Sequence, residues 1–309
     1  LGLWVLGILM TSCGRDREYV YYENQGATRY NDQLFSERVV QSNIQYGEAL
    51  TQGGASKRLT FTLYTPKNDL ARERPLIILA YGTDLETVEI GNFNSLAQYF
   101  VRSGYVVASI EYRTLDVPQN VETTQRAILD AAFDMKAAVR YFHRSVSIGN
   151  IYGINPSQIF IGGYGAGAVT ALHAAYLREE SEVEAIGGTS LVDYMNAQGG
   201  IEGNSGNNGF SSAVRGVVNL SGGLLRADLI DAGEPTLISF HGSNDQRILP
   251  GQGAGILGIE TAGSTLIHAE ADRVGVENEL HLISEGDHLI YDEEFDFALK
   301  IRSFLFENL

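Results

Sequence analysis

The hydrophobic positions after residue 57 alternate between a strand pattern and a helix pattern. Residues 75–81 (PLIILAY) and 105–111 (YVVASIE) are nearly continuous apolar runs, which is typical of central strands covered on both faces. Residues 122–144 place apolar side chains at every third or fourth position, which predicts a long amphipathic helix. Further strands are predicted at 58–66, 158–162, 214–220, 236–241 and 279–283, and further helices at 94–103, 166–178, 255–273 and 293–306. This alternation predicts an α/β fold with a mostly parallel central sheet of about eight strands and helices on both faces.

Two segments depart from this rhythm. Residues 14–54 are polar and aromatic with little periodicity, and we expect a tether followed by edge strands. Residues 187–212 are rich in glycine and asparagine and too long for an ordinary connection, so we expect an irregular insert that serves either as a lid or as a surface loop. Under this interpretation residues 55–309 form one domain.

The composition narrows the classes of partner. The 309 residues include 22 lysines and arginines against 38 acidic residues, a formal charge of −16, which argues against nucleic acid as a partner. A single cysteine excludes a disulfide framework. No cysteine or histidine spacing typical of a metal site occurs, so we expect neither a metal nor another cofactor.

The first thirteen residues carry a targeting pattern. An apolar run at 1–10 (LGLWVLGILM) is followed by Thr11, Ser12 and Cys13, which resembles the lipobox of bacterial lipoproteins. That resemblance implies a signal peptide at 1–13, lipid attachment at Cys13, and export to the bacterial cell envelope with a membrane anchor. The apolar run is too short for a helix to cross a bilayer, which takes about 20 residues. The alternative is an ordinary N-terminal helix or strand with a buried cysteine.

The segment 157–177 (SQIFIGGYGAGAVTALHAAYL) joins an apolar strand to an alanine-rich helix through a glycine-rich turn. Its Gly163-Tyr164-Gly165-Ala166-Gly167 resembles the nucleophile elbow G-x-S-x-G of the α/β-hydrolases. In that family the central residue is a serine held above the sheet in a strained conformation. Here the central residue is Gly165, which has no oxygen to serve as a nucleophile.

The resemblance extends from about residue 58 to the C-terminus. Residues 241–245 (HGSND) follow a predicted strand and resemble an HG-x-x-D segment of the family, which implies that Asp245 is the triad acid. Residues 286–288 (GDH) follow the next strand, which implies that His288 is the general base. Together with residues 111–113 (EYR), these motifs resemble the bacterial carboxylesterase and acetylesterase branch of the α/β-hydrolases.

The predicted oxyanion site also departs from the family. The branch has His-Gly-Gly after the third strand, whereas this chain has Tyr81-Gly82-Thr83 followed by an acidic residue, Asp84. The resemblance implies that Gly82, Thr83 and Ala166 supply backbone N–H donors to a developing negative charge. An aspartate beside them would oppose that charge.

These departures predict an ester-hydrolase-like protein that is inactive or strongly impaired. We expect it to bind a small ester or an acylated-glycan ligand in the cleft where the family binds its substrates. The protein is instead an active carboxylesterase or acetylesterase if Gly165 replaces a natural serine, if His288 activates a water, or if Ser221 or Thr170 acts as a relocated nucleophile. A third interpretation is a dinucleotide-binding protein, because residues 163–168 match G-x-G-x-x-A. That fingerprint needs a second strand ending in an acidic residue about 20 positions on, and REESEVEAIGG stands there instead.

Overall fold

The computed structural model describes residues 28–82, 84–86, 94–255, 258–290 and 296–309. Eleven strands are present in these ranges: β1 Arg38–Leu50, β2 Ser56–Pro66, β3 Arg74–Gly82, β4 Val106–Ile110, β5 Ile154–Gly165, β6 Gly216–Leu220, β7 Gly223–Leu224, β8 Thr236–Gly242, β9 Gln252–Gly253, β10 Thr261–Gly263 and β11 Asn278–Ile283. The α-helices in the same ranges are α1 Asn94–Arg102, α2 Val121–Ser147, α3 Ala166–Tyr176, α4 Glu180–Ala197, α5 Ser264–Val274 and α6 Asp296–Glu307. The predicted signal peptide and Cys13 lie outside the described residues, as does Thr83.

The main sheet has eight strands in the order β1-β2-β4-β3-β5-β6-β8-β11. Strands β1, β2 and β4 pair antiparallel, and all pairs from β4 to β11 are parallel. The predicted α/β fold with a mostly parallel sheet is therefore confirmed. A small antiparallel sheet of β7, β10 and β9 lies beside it.

The continuous apolar run of β3 is explained by helices on both of its faces. Leu76 and Ile78 belong to the core cluster that contains the apolar side chains of α2 and α3, whereas Ile77 and Leu79 belong to the cluster that contains those of α1 and α6. Because successive side chains of a strand point to opposite faces, both sets are buried and the strand shows no polar alternation.

Two sequence predictions about irregular regions were wrong. The predicted insert at 187–212 is helical up to Ala197, because α4 begins at a capping box on Glu179 and buries Val183, Leu191 and Met195. Gly188, at φ 64° and ψ −166°, is not helical, so α4 consists of two helical stretches joined at a kink, and the irregular part of the chain starts only at residue 198. The helix predicted from residue 255 begins at Ser264, after the short strands β9 and β10.

Nothing in the described part of the chain forms a helix that is both long and apolar enough to cross a bilayer.

Candidate active site

The glycine-rich turn between β5 and α3 is a tight elbow. Gly165 ends the strand at φ 55° and ψ −121°, and the helix begins at the next residue, Ala166. A Cβ on Gly167 would lie 2.1 Å from the carbonyl oxygen of Ala80 on β3, and a Cβ on Gly163 would lie 2.3 Å from the backbone carbon of Gly167. The two outer glycines are therefore required by the close approach of β3, β5 and α3.

The structure brings the predicted acid and base together. Asp245 follows β8 and His288 follows β11, neighbouring parallel strands whose carboxyl ends meet at one edge of the sheet. The Nδ1 atom of His288 lies 2.7 Å from Oδ2 of Asp245, and both side chains are buried. Oδ1 of Asp245 accepts hydrogen bonds from the backbone N–H groups of Arg247 at 2.8 Å and Ile248 at 3.1 Å.

A second histidine contacts the same carboxylate. Burial by itself raises the pKa of Asp245, but hydrogen bonds from His241 and His288 outweigh it and hold the pKa well below its ordinary range. The Nε2 atom of His241 lies 3.2 Å from Oδ2 of Asp245 and 2.8 Å from the carbonyl oxygen of Ile248. Asp245 is therefore ionised, and its negative charge can orient the imidazole of His288.

A chain of buried hydrogen bonds fixes the proton on His241. Its Nε2 faces two acceptors, the carboxylate of Asp245 and the carbonyl of Ile248, so the proton belongs on Nε2. Its Nδ1 then accepts from the hydroxyl of Ser264, at 2.7 Å, and that hydroxyl accepts from Nδ2 of Asn219, at 3.0 Å. This network holds the loop that carries Asp245 in place. The sequence motif did not indicate that Ser264 and Asn219 take part in it.

The backbone of His288 is held by two hydroxyl groups. Its carbonyl oxygen accepts from Tyr164 Oη and from Ser221 Oγ, each at 3.1 Å. The ring of Tyr164 also lies 5.0 Å from the imidazole, centroid to centroid. Nε2 of His288, the nitrogen that would take a nucleophile's proton, is buried and has no hydrogen-bond partner among the described residues.

The two relocated nucleophiles considered from the sequence are engaged elsewhere. The hydroxyl of Ser221 donates to the backbone carbonyl of His288 and not to its imidazole. The hydroxyl of Thr170 donates to the carbonyl of Ala166, one turn earlier in α3, at 2.9 Å. Both side chains are buried. In this arrangement neither hydroxyl is positioned for activation by His288.

The described part of the expected oxyanion site flanks the elbow. Gly82 pairs with Gly165 in the parallel register of β3 and β5, and Ala166 begins α3, where the first backbone N–H groups of a helix have no partner within it. The carboxylate of Asp84 accepts from the backbone N–H of Glu86 at 2.9 Å. Gly82 and Ala166 therefore lie beside the position that a nucleophile would occupy.

The dinucleotide interpretation lacks its second structural requirement. That fingerprint needs a βαβ unit whose second strand ends in an acidic residue. Here α3 is followed by another helix, α4, and the next strand begins only at Gly216. In addition, the glycines at 163 and 167 are accounted for by backbone packing. The described residues also contain no group of three or more His, Cys, Asp or Glu side chains that could hold a metal ion.

An eight-stranded sheet with a strand–elbow–helix turn after β5, an acid after β8 and a histidine after β11 defines the chain as an α/β-hydrolase. The BD-FAE family model matches residues 61–222, just over half of the 309 residues. The protein therefore belongs to the BD-FAE family, an esterase-like family of α/β-hydrolases.

Solved structures of a bacterial esterase share this fold. Esterase 2 of Thermogutta terrifontis phosphorylated by paraoxon superposes with a TM-score of 0.63 at 17% identity, covering 87% of this chain and 94% of that chain. Its propionate-bound form gives a TM-score of 0.62 and its apo form 0.61, at the same identity and coverage. Sequence identity this low shows a shared fold and does not show a shared activity. No curated protein sequence matches the chain.

Proposed function

We propose that this protein is an esterase-like ligand-binding protein that hydrolyses esters very slowly or not at all. The observation that carries the proposal is Gly165, which has the backbone of a nucleophile elbow and no side-chain oxygen. Around it, the buried contact between Asp245 and His288 is complete. A site with these groups could bind a small ester or an acylated glycan without forming an acyl-enzyme.

The missing oxygen accounts for a large loss of rate. Removing the triad serine of a well-studied serine protease lowers kcat by roughly 10⁶-fold, which corresponds to about 8 kcal/mol of transition-state stabilisation. The activity left in such enzymes, about 10³- to 10⁴-fold above water, comes from substrate binding and the oxyanion donors. In this protein, the backbone N–H groups of Gly82 and Ala166 could contribute to such residual hydrolytic activity.

His288 supports a second candidate function, slow direct hydrolysis. Its Nε2 is buried and has no partner among the described residues. A water bound there would attack the ester carbonyl while its proton passes to Nε2, and His288 would then return that proton to the leaving alkoxide. The carboxylate of Asp245 would stabilise the imidazolium formed in between.

We also place the protein at the bacterial cell envelope, exported and anchored to a membrane through a lipid on Cys13. The lipobox-like residues 1–13 support this location. The strongly acidic composition, with a formal charge of −16, argues against nucleic acid as the ligand.

The test compares hydrolysis of p-nitrophenyl acetate and butyrate by the native chain, Gly165→Ser and the double variant Gly165→Ser with Asp245→Asn. We expect Gly165→Ser to raise kcat by several orders of magnitude, and the added Asp245→Asn to lower it again by about 10⁴-fold. Hydrolysis by the native chain at ordinary esterase rates would contradict the proposal. A weak native activity that disappears in His288→Ala would establish the water mechanism.

A further inference from the structure

A large cavity lies far from the elbow. It has a volume of about 690 Å³ and lies between the second half of α2, the end of α3 and the irregular chain at 199–214. Ala174 and Ala175 line it, eight and nine residues beyond the start of α3 at Ala166. At 1.5 Å per residue this places them about 12 Å along the helix from the elbow. The cavity is therefore separate from the Asp245–His288 site.

The lining concentrates positive charge in an acidic protein. Lys136, Arg140 and Arg178 line the cavity together with a single carboxylate, Glu202, whereas the whole chain has a formal charge of −16. Arg178 is half-exposed and pairs with Glu234, which is outside the lining. Lys136 and Arg140 are buried and share the half-exposed carboxylate of Glu202.

The two buried cations are not fully compensated. Nζ of Lys136 donates to the carbonyls of Leu177 at 3.0 Å and Ile201 at 2.8 Å, while the carboxylate of Glu202 is 3.6 Å away. In Arg140, Nη1 donates to the backbone carbonyl of Glu202 at 2.6 Å and to its carboxylate at 3.1 Å, and Nε donates to the carbonyl of Gly206 at 3.0 Å. Nη2 is buried and has no hydrogen-bond partner among the described residues. Burying a cation costs several kcal/mol unless negative charge compensates it. Burial accordingly lowers the pKa of Lys136 to about 8.

The remaining lining has groups that suit a polyhydroxylated ligand. Asn208, Ser211 and Ser212 supply amide and hydroxyl groups, and Phe210 supplies an aromatic ring. The volume falls within the range of small-molecule sites, about 300–1,000 Å³.

The irregular wall of the cavity is held in place by the rest of the protein. The hydroxyl of Ser205 donates to the buried carboxylate of Asp134 at 2.6 Å, and Nδ2 of Asn207 donates to the carbonyl of Tyr46 at 2.7 Å. These contacts tie the segment to α2 and β1. The segment therefore forms a fixed wall at this cavity.

We infer that this cavity is a second ligand site, which takes a small anionic sugar through Lys136, Arg140 and Arg178. The negative group, a carboxylate or a phosphate, supplies the charge that the buried cations lack. The sugar hydroxyls contact the polar groups of the wall. This inference does not depend on ester binding or hydrolysis at the elbow.

Isothermal titration calorimetry on the full chain at constant ionic strength tests the site. The probes are glucuronate, glucose 6-phosphate, neutral glucose and inorganic phosphate. We expect at least one of the two sugar anions to bind tenfold or more tightly than glucose and than inorganic phosphate, and the preferred anion identifies the charged group. At pH 8, binding should also take up protons, because the anion favours charged Lys136. Binding of inorganic phosphate as tight as that of both sugar anions would overturn the assignment to a sugar.

Matched variants locate the binding. Arg178→Gln removes a half-exposed cation of the lining, so the fold should survive and affinity should fall about tenfold. Arg144→Gln removes an exposed cation from the same helix as Arg140 but outside the lining, and should leave affinity unchanged. No binding of either sugar anion at millimolar concentration, or equal effects of the two variants, would overturn the inference.

Discussion

Replacing Gly165 by alanine tests whether the elbow is a strained position. Its backbone, at φ 55° and ψ −121°, lies in a region that side chains other than glycine rarely adopt. Gly165 is also held by its parallel pairing with Gly82 on β3, so the backbone has little freedom to relax. A non-glycine residue in such a conformation costs about 1–3 kcal/mol.

The unfolded chain contributes an opposite effect. Glycine to alanine stabilises a protein by about 0.4–1 kcal/mol where the backbone is compatible, because the unfolded chain loses conformational freedom. Gly251 is the matched control, since its φ is not in the left-handed region and a Cβ there would meet only the hydroxyl of Thr265, at 3.9 Å. The difference between Gly165→Ala and Gly251→Ala therefore removes the effect on the unfolded chain and leaves the cost in the folded protein, about 1–3 kcal/mol from backbone strain.

Chemical denaturation of both variants and the native chain measures this difference. We expect Gly251→Ala to be slightly more stable than the native chain and Gly165→Ala to be less stable than Gly251→Ala by at least about 1 kcal/mol. If the two variants unfold at the same denaturant concentration with the same slope, the elbow is not strained. A glycine at position 165 would then give the folded protein no relief from backbone strain.

Two further predictions concern the packing around the elbow and the pH dependence of stability. Gly167→Ala should prevent folding or lower the free energy of unfolding by more than about 3 kcal/mol, because its Cβ would lie 2.1 Å from the backbone oxygen of Ala80. Soluble yield and thermal unfolding measure this effect, and a variant as stable as the native chain would contradict it. Burial lowers the pKa of His173 to about 4, so the unfolded chain binds this proton between pH 6.5 and 4 and the folded chain does not. As the pH is lowered from 6.5 to 4, the free energy of unfolding of the native chain should therefore fall by about 3 kcal/mol relative to that of His173→Gln measured in parallel. Equal pH slopes for the two proteins would refute this prediction.

The fold was predictable because its strands and helices have strong local patterns. Strand β3 is apolar on both faces, and α2 repeats its apolar positions at helical spacing. The prediction was wrong at α4, where adjacent glycines suggested a loop. Buried contacts of Val183, Leu191 and Met195 stabilise that helix despite the kink at Gly188. Tertiary packing of this kind has no local signal in a single sequence.

Only those residues of the candidate site that lie in recognisable motifs could be predicted from the sequence. Asp245 and His288 were placed through resemblance, since each follows a strand in a recognisable segment. The hydroxyls that hold His288 come from Tyr164 and Ser221, which are 124 and 67 residues away in the chain. No spacing rule connects residues so far apart, so these contacts required the three-dimensional structure.

Different positions of the elbow are constrained by the fold and by ester hydrolysis. Gly163 and Gly167 are required because any Cβ would collide with neighbouring backbone, and a chain with this fold must keep them small. The central position favours glycine for a different reason, its positive φ, and a strained serine there is explained by a nucleophilic role. A chain that no longer needs ester hydrolysis can therefore gain stability at Gly165 and keep every other element of the elbow. Membership of an esterase-like family and a complete Asp245–His288 contact are therefore compatible with the proposed loss of ester hydrolysis.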